Sequence, residues 1–161
     1  MRVIWGLILS LLMVQQAAAL SCLAPNIARD YANAAASEDT YIVVKGQLFF
    51  DEAELPNRVD QRNARNGDSV DIPGWLAGQS LTADGFSRAF ERDVILRVSC
   101  LGPWCGGTAK GDHLAFLKQE DQQWVMELSP CPGMTYQNPT EDQLSQVQSC
   151  FVGEACEAEN P

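Results

Sequence analysis

The chain has 161 residues and carries 11 Lys+Arg against 21 Asp+Glu, a formal charge of −10. Such a surface has too few cations to displace counterions from nucleic acid or to settle on anionic lipid, so neither is expected as a partner. With one His in the whole chain, any mechanism needing two imidazoles is excluded.

Residues 1–21 have the layout of a cleaved export signal. Arg2 is a short basic end, Val3 to Val14 is apolar apart from Gly6 and Ser10, and Ala17-Ala18-Ala19 supplies small residues for cleavage. Cleavage after Ala19 or after Ser21 fits the small-x-small rule. The apolar run is too short to span a bilayer comfortably, and no later run is longer, so no membrane span is expected. Lipid attachment at Cys22 would call for a larger aliphatic residue three places earlier, where Ala19 stands. The expected location is secreted or periplasmic. Losing Arg2 with the signal takes the charge from −10 to −11. About 140 residues remain, room for one core. A single domain is expected over 22–156, with 157–161 as an acidic tail.

Pro25 to Ala36 is Ala-rich, with Ile27 and Tyr31 four apart, and predicts a short helix starting near Pro25 or Asn26. Tyr41 to Phe50 is the strongest strand, rich in β-branched and aromatic residues, and Gly46 within it suggests a bulge or sharp bend. Asp51 to Pro73 reads as a long polar loop or loosely paired hairpin. Its Arg58, Arg62 and Arg65 could bind an anion, but the six neighbouring carboxylates favour an ordinary solvated loop. Trp75 to Phe90 holds a second strand region, with turns at Gly78 and Asp84-Gly85. From Asp93 to Cys100, Val94, Leu96 and Val98 share one face. Leu101 to Gly111 is a turn-rich connection. His113 to Lys118 and Gln123 to Leu128 form a hairpin turning at Glu120-Asp121-Gln122. Thr140 to Cys150 is a closing helix, with Thr140 and Gln143 at capping-box spacing. The fold class is therefore mainly β, a five-stranded partly open barrel with short N-terminal and C-terminal helices.

Six cysteines remain after cleavage: Cys22, Cys100, Cys105, Cys131, Cys150 and Cys156. An even count in an exported chain reads as three disulfides. A thiolate metal site would favour a Cys-x2-Cys knuckle, and Cys100-x4-Cys105 and Cys150-x5-Cys156 miss it. No metal and no cofactor are expected. Of the possible pairings, the preferred one joins Cys100 to Cys105, Cys150 to Cys156, and Cys22 to Cys131 across the long loop. An alternative joins Cys22 to Cys105 and ties Cys131 to the C-terminal pair.

The order of these elements resembles the netrin-like, or tissue-inhibitor-of-metalloproteinases-like, OB-fold domains. There an N-terminal Cys precedes a short helical stretch and a long bent strand with a Val-x-Gly pattern. Here Cys22, the Ala-rich segment and Val43-Val44-Lys45-Gly46 stand in that order. The family then shows a Cys and Gly before a strand, matched by Cys105-Gly106 before Gly111 to Leu117. A further strand ends in a Cys, as Trp124 to Leu128 leads to Cys131. The resemblance implies an OB-like barrel over nearly the whole exported chain, and inhibition of an extracellular protease as one possible role. The animal inhibitors begin Cys-x-Cys, whereas Leu23 and Ala24 follow Cys22 here. Their inhibitory wedge is therefore not carried over.

Motifs for chemistry are sparse. His113 has no Gly-x-Ser-x-Gly elbow to serve. Glu120, Asp121 and Glu127 could in principle form a glycosidase acid and base, the basis of a carboxylate-dependent hydrolase alternative. Trp75, Trp104 and Trp124, with Phe49, Phe50 and Phe116, could supply a stacking platform for sugar or peptide. Phe116 and Trp124 are expected in the core. Trp104, between Pro103 and Cys105, is a candidate contact or a cap on a disulfide. The expected function is a non-catalytic binding domain whose partner is a protein or a small molecule.

Overall fold

The computed structural model describes residues 20–156. The acidic tail lies outside them, as does the signal segment before Leu20.

Helix α1 (Ile27–Ala36) starts where the Asn26 side chain accepts a hydrogen bond from the Arg29 N–H at 2.9 Å. Strand β1 (Tyr41–Phe50) follows, then a single 3-10 turn (Glu52–Glu54) and the short helix α2 (Arg58–Asn63). Strands β2 (Ser69–Thr82) and β3 (Gly85–Leu101) form a long hairpin. The chain continues through β4 (Trp104–Cys105), β5 (Gly111–Glu120), β6 (Gln123–Leu128), β7 (Thr135–Gln137) and helix α3 (Glu141–Phe151). Both halves of the α3 capping box are made: Thr140 Oγ1 accepts from Gln143 N–H at 3.3 Å, and Gln143 Oε1 from Thr140 N–H at 3.0 Å.

Five strands close a ring in the order β1-β2-β3-β6-β5, with β5 returning to β1. Only the β3–β6 pair is parallel. This is an OB-like arrangement but not a regular barrel, because the ladders are unequal. The hairpin ladder runs from Ser69 opposite Ser99 to Thr82 opposite Gly85, whereas β3 meets β6 only over Ile95–Val98.

Alternation along the strands fills the ring with Val44, Leu48, Leu76, Leu96, Leu117 and Met126. A second core lies outside the ring, where α1 and α3 cover β1 and β5. It contains Ile27, Val43, Leu114, Phe116, Leu144 and Val147. Strand β5 separates the two cores, so every residue from His113 to Leu117 is buried and the apolar run does not alternate. The buried Asp30 carboxylate ties α1 to β7 by accepting from the Tyr136 hydroxyl and from the Met134 N–H at 3.4 Å. Burial, together with that carboxylate, raises the Tyr136 pKa.

The sulfurs pair as Cys22–Cys131, Cys100–Cys105 and Cys150–Cys156. No helix among the described residues is long and apolar enough to cross a membrane.

Four local expectations are corrected. Gly46 carries no bulge: its register with Gly78 and with His113 is regular, and the one shift in the hairpin falls at Ser80/Leu81. Gly78 makes no turn and sits inside β2. A Cβ on it would lie 2.0 Å from the Lys45 carbonyl oxygen, so glycine is needed for close backbone approach. The polar stretch 51–73 contains α2 and the start of β2 rather than an open loop. The short β7 was not foreseen.

Candidate functional site

The inequality of the ladders creates an open seam. Strand β3 pairs with β2 from Gly85 to Ser99, with Ser87 bulged out between the Phe86 and Arg88 pairs. On its other side β6 takes Ile95–Val98 and β4 takes Cys100 and Leu101. Among the described residues no strand covers that side from Gly85 to Val94.

A cleft of about 430 Å³ lies where β6 departs. One wall is Glu91, Arg92, Asp93, Val94 and Ile95, five residues in a row. Successive side chains of a strand point to opposite faces, so an unbroken run can line a cleft only along the strand's edge. Trp75 of β2 contributes on the outer side, and Gln122, Gln123 and Trp124 on the other.

Trp75 is 40% exposed and stands in register between Phe49, 51% exposed, and Asp93. Trp124 is half-buried and meets Phe90 edge to face, with ring centroids 6.4 Å apart. The turn presenting Gln122 is tight: Asp121 and Gln122 both have positive φ, at 44° and 67°, the twist that suits a two-residue hairpin. None of Glu91, Arg92 and Asp93 forms an ion pair among the described residues. Arg92 shares the inward phase of the buried Phe90 and Val94 but is itself exposed.

Four other charges on the ring are engaged in one network. Arg97 holds Asp71 at 2.8 Å and Glu120 at 2.6 Å, and Lys118 holds Glu120 at 3.1 Å and Asp39 at 2.8 Å. This network bridges β2, β3 and β5 beside the short β6 ladders. Hydrogen bonds from Arg97 and then Lys118 hold the Glu120 pKa low. A general acid requires the opposite shift.

His113 is fully buried on β5. Its Nδ1 lies 2.9 Å from the Gly111 carbonyl oxygen and its Nε2 2.7 Å from Thr108 Oγ1. Burial lowers its pKa. Among the described residues no three His, Cys, Asp or Glu side chains form a group able to hold a metal ion.

The structure brings Trp75 and Trp124 to one cleft and leaves the other aromatics elsewhere. Phe50 is buried in the ring, and Phe116 in the outer core. Trp104, 39% exposed, pairs with Leu101 beside the Cys100–Cys105 bridge, away from the cleft. Arg62 and Arg65 are exposed on the α2 segment and line no part of the cleft. A larger depression, about 520 Å³ between α1 and α3, has no indole and takes a single strand residue, Tyr136 of β7. Sequence reasoning missed Glu91, Arg92, Asp93, Gln122 and Gln123. The available signal was Arg92, a charge at an inward position of an alternating strand, a mark of edges. Comparison of the chain with family models, with curated proteins and with solved structures finds no match in any of the three.

Proposed function

We propose that the chain is an exported, disulfide-stapled binding domain of the netrin-like kind that holds a ligand in the seam cleft without transforming it. The observation that carries this reading is the cleft wall of consecutive residues Glu91 to Ile95, facing the Trp124 side. Among the described residues it offers charges without ion-pair partners, strand backbone and flanking indoles, and no nucleophile beside a base. Export is supported by the apolar run behind Arg2 and by three cross-links that need an oxidising compartment.

Two measurements test the proposal. N-terminal sequencing of the exported protein should begin at Leu20 or Cys22. Panels of oligosaccharides and peptides should include ligands that change the tryptophan fluorescence, and Trp75→Ala should abolish their binding while leaving the far-ultraviolet circular dichroism unchanged. Turnover of a bound ligand, or binding indifferent to Trp75, would overturn it.

A further inference from the structure

We infer that the seam is completed by an extended strand of a partner protein, added along β3 between Arg88 and Val94 and carrying Lys or Arg at two alternate positions. This rests on the seam being the binding site proposed above and names its occupant.

Backbone geometry selects an extended polypeptide. A strand paired on one side turns half of its N–H and C=O groups the other way. Along the seven residues from Arg88 to Val94, beyond the bulge at Ser87, these groups meet no strand among the described residues. They repeat every second residue, at about 6.8 Å, over a length of about 24 Å. Only another extended backbone matches such a row of alternating donors and acceptors. A sugar does not repeat at that spacing.

The devices that usually close an edge are largely missing. From Arg88 to Val94 the strand contains no Pro and no Lys, and the bulge of the hairpin lies just before it, at Ser87, where Ser80 pairs with Arg88 and Leu81 with Phe86. Charges are what remain, and they sort by face. Glu91 and Asp93 are two residues apart and share the outer face with Trp75, the in-register neighbour of Asp93. That face offers two carboxylates without ion-pair partners among the described residues and an exposed indole, in a chain of charge −10. A basic side chain on the added strand would meet the carboxylates across the ladder and the indole through its π face. Glu91 and Asp93 call for two such side chains, at i and i+2. Arg88 and Arg92 fall in the opposite phase, so self-pairing of two β3 edges is not favoured by simple charge complementarity on either face.

The test pans the oxidised exported chain against a displayed library of random decapeptides, with an array of neutral oligosaccharides in parallel. Enriched peptides should carry Lys or Arg at i and i+2. N-methylation of one alternate set of amides in a selected peptide should weaken binding at least tenfold, and methylation of the other set less than twofold. Bound peptide should slow amide exchange within residues 88–94. Glu91→Gln with Asp93→Asn, both exposed, should cost at least tenfold in affinity and erase the basic preference. Equal sensitivity to both methylation sets, or exchange protection elsewhere, would overturn strand addition. Oligosaccharide capture dependent on Trp75, with no peptide enriched, would overturn the strand and leave the seam as a binding site. Capture of neither would overturn both.

Discussion

The only imidazole of the chain sits where no solvent reaches it. The Gly111 carbonyl can only accept, so His113 Nδ1 carries a proton, while the Thr108 hydroxyl can give to Nε2 or accept from it. Burial disfavours the charged ring and holds its pKa below the ordinary 6.5. An unfolded chain binds the charging proton first as pH falls, so the contribution of the ring to stability is complete above about pH 6.5 and declines below it. The urea midpoint should fall between pH 7.5 and 5.5, and His113→Asn should remove that slope. Arg97 holds Asp71 and Glu120 at lowered pKa, and their contribution is lost only at more acid pH, outside this window. At the cleft, Gln122→Gly should relieve the left-handed backbone and raise stability by about 0.5–1 kcal/mol. Thermal unfolding reads that gain, and the same change removes a side chain from the site.

At the level of elements, close approach and capping make the sharpest demands. Gly78→Ala would put a methyl 2.0 Å from the Lys45 carbonyl, and a loss of about 3 kcal/mol or more is expected in chemical denaturation. Thr140→Ala breaks the capping box and should cost about 1 kcal/mol by the same measurement. Legibility followed the same physics. β1, β6 and α3 were readable because alternation, β-branching and a capping pair are local signals. α2 was hidden because five polar residues around the single Val59 carry no apolar period. The first half of β2 was hidden by Pro73 and Gly74, which read as breakers. Pro73 is tolerated because β1 joins β2 only from Gly74 on, leaving Pro73 on an edge. Of the candidate site, the indoles of Trp75 and Trp124 could be singled out, but the seam could not. It depends on where β6 stops meeting β3, a long-range register that no local pattern encodes.

In the molecule as a whole, two cores share β5, and the ion-pair network spans the ring where its ladders are shortest. The Cys22–Cys131 bridge fastens the segment before α1 to the loop before β7, across a separation of 109 residues. Removing it by Cys22→Ala with Cys131→Ala should cost about 2–5 kcal/mol in equilibrium unfolding, the usual range for a native bridge. The same separation has a consequence during biogenesis. In a chain that emerges amino end first, Cys22 waits for its partner while Cys100 and Cys105 come out ahead of Cys131. Air oxidation of nascent material should trap Cys22 on one of those two thiols, and a disulfide isomerase should be needed for full recovery. Mass mapping of protein made with and without such a catalyst would show whether correct assembly of this domain depends on its host.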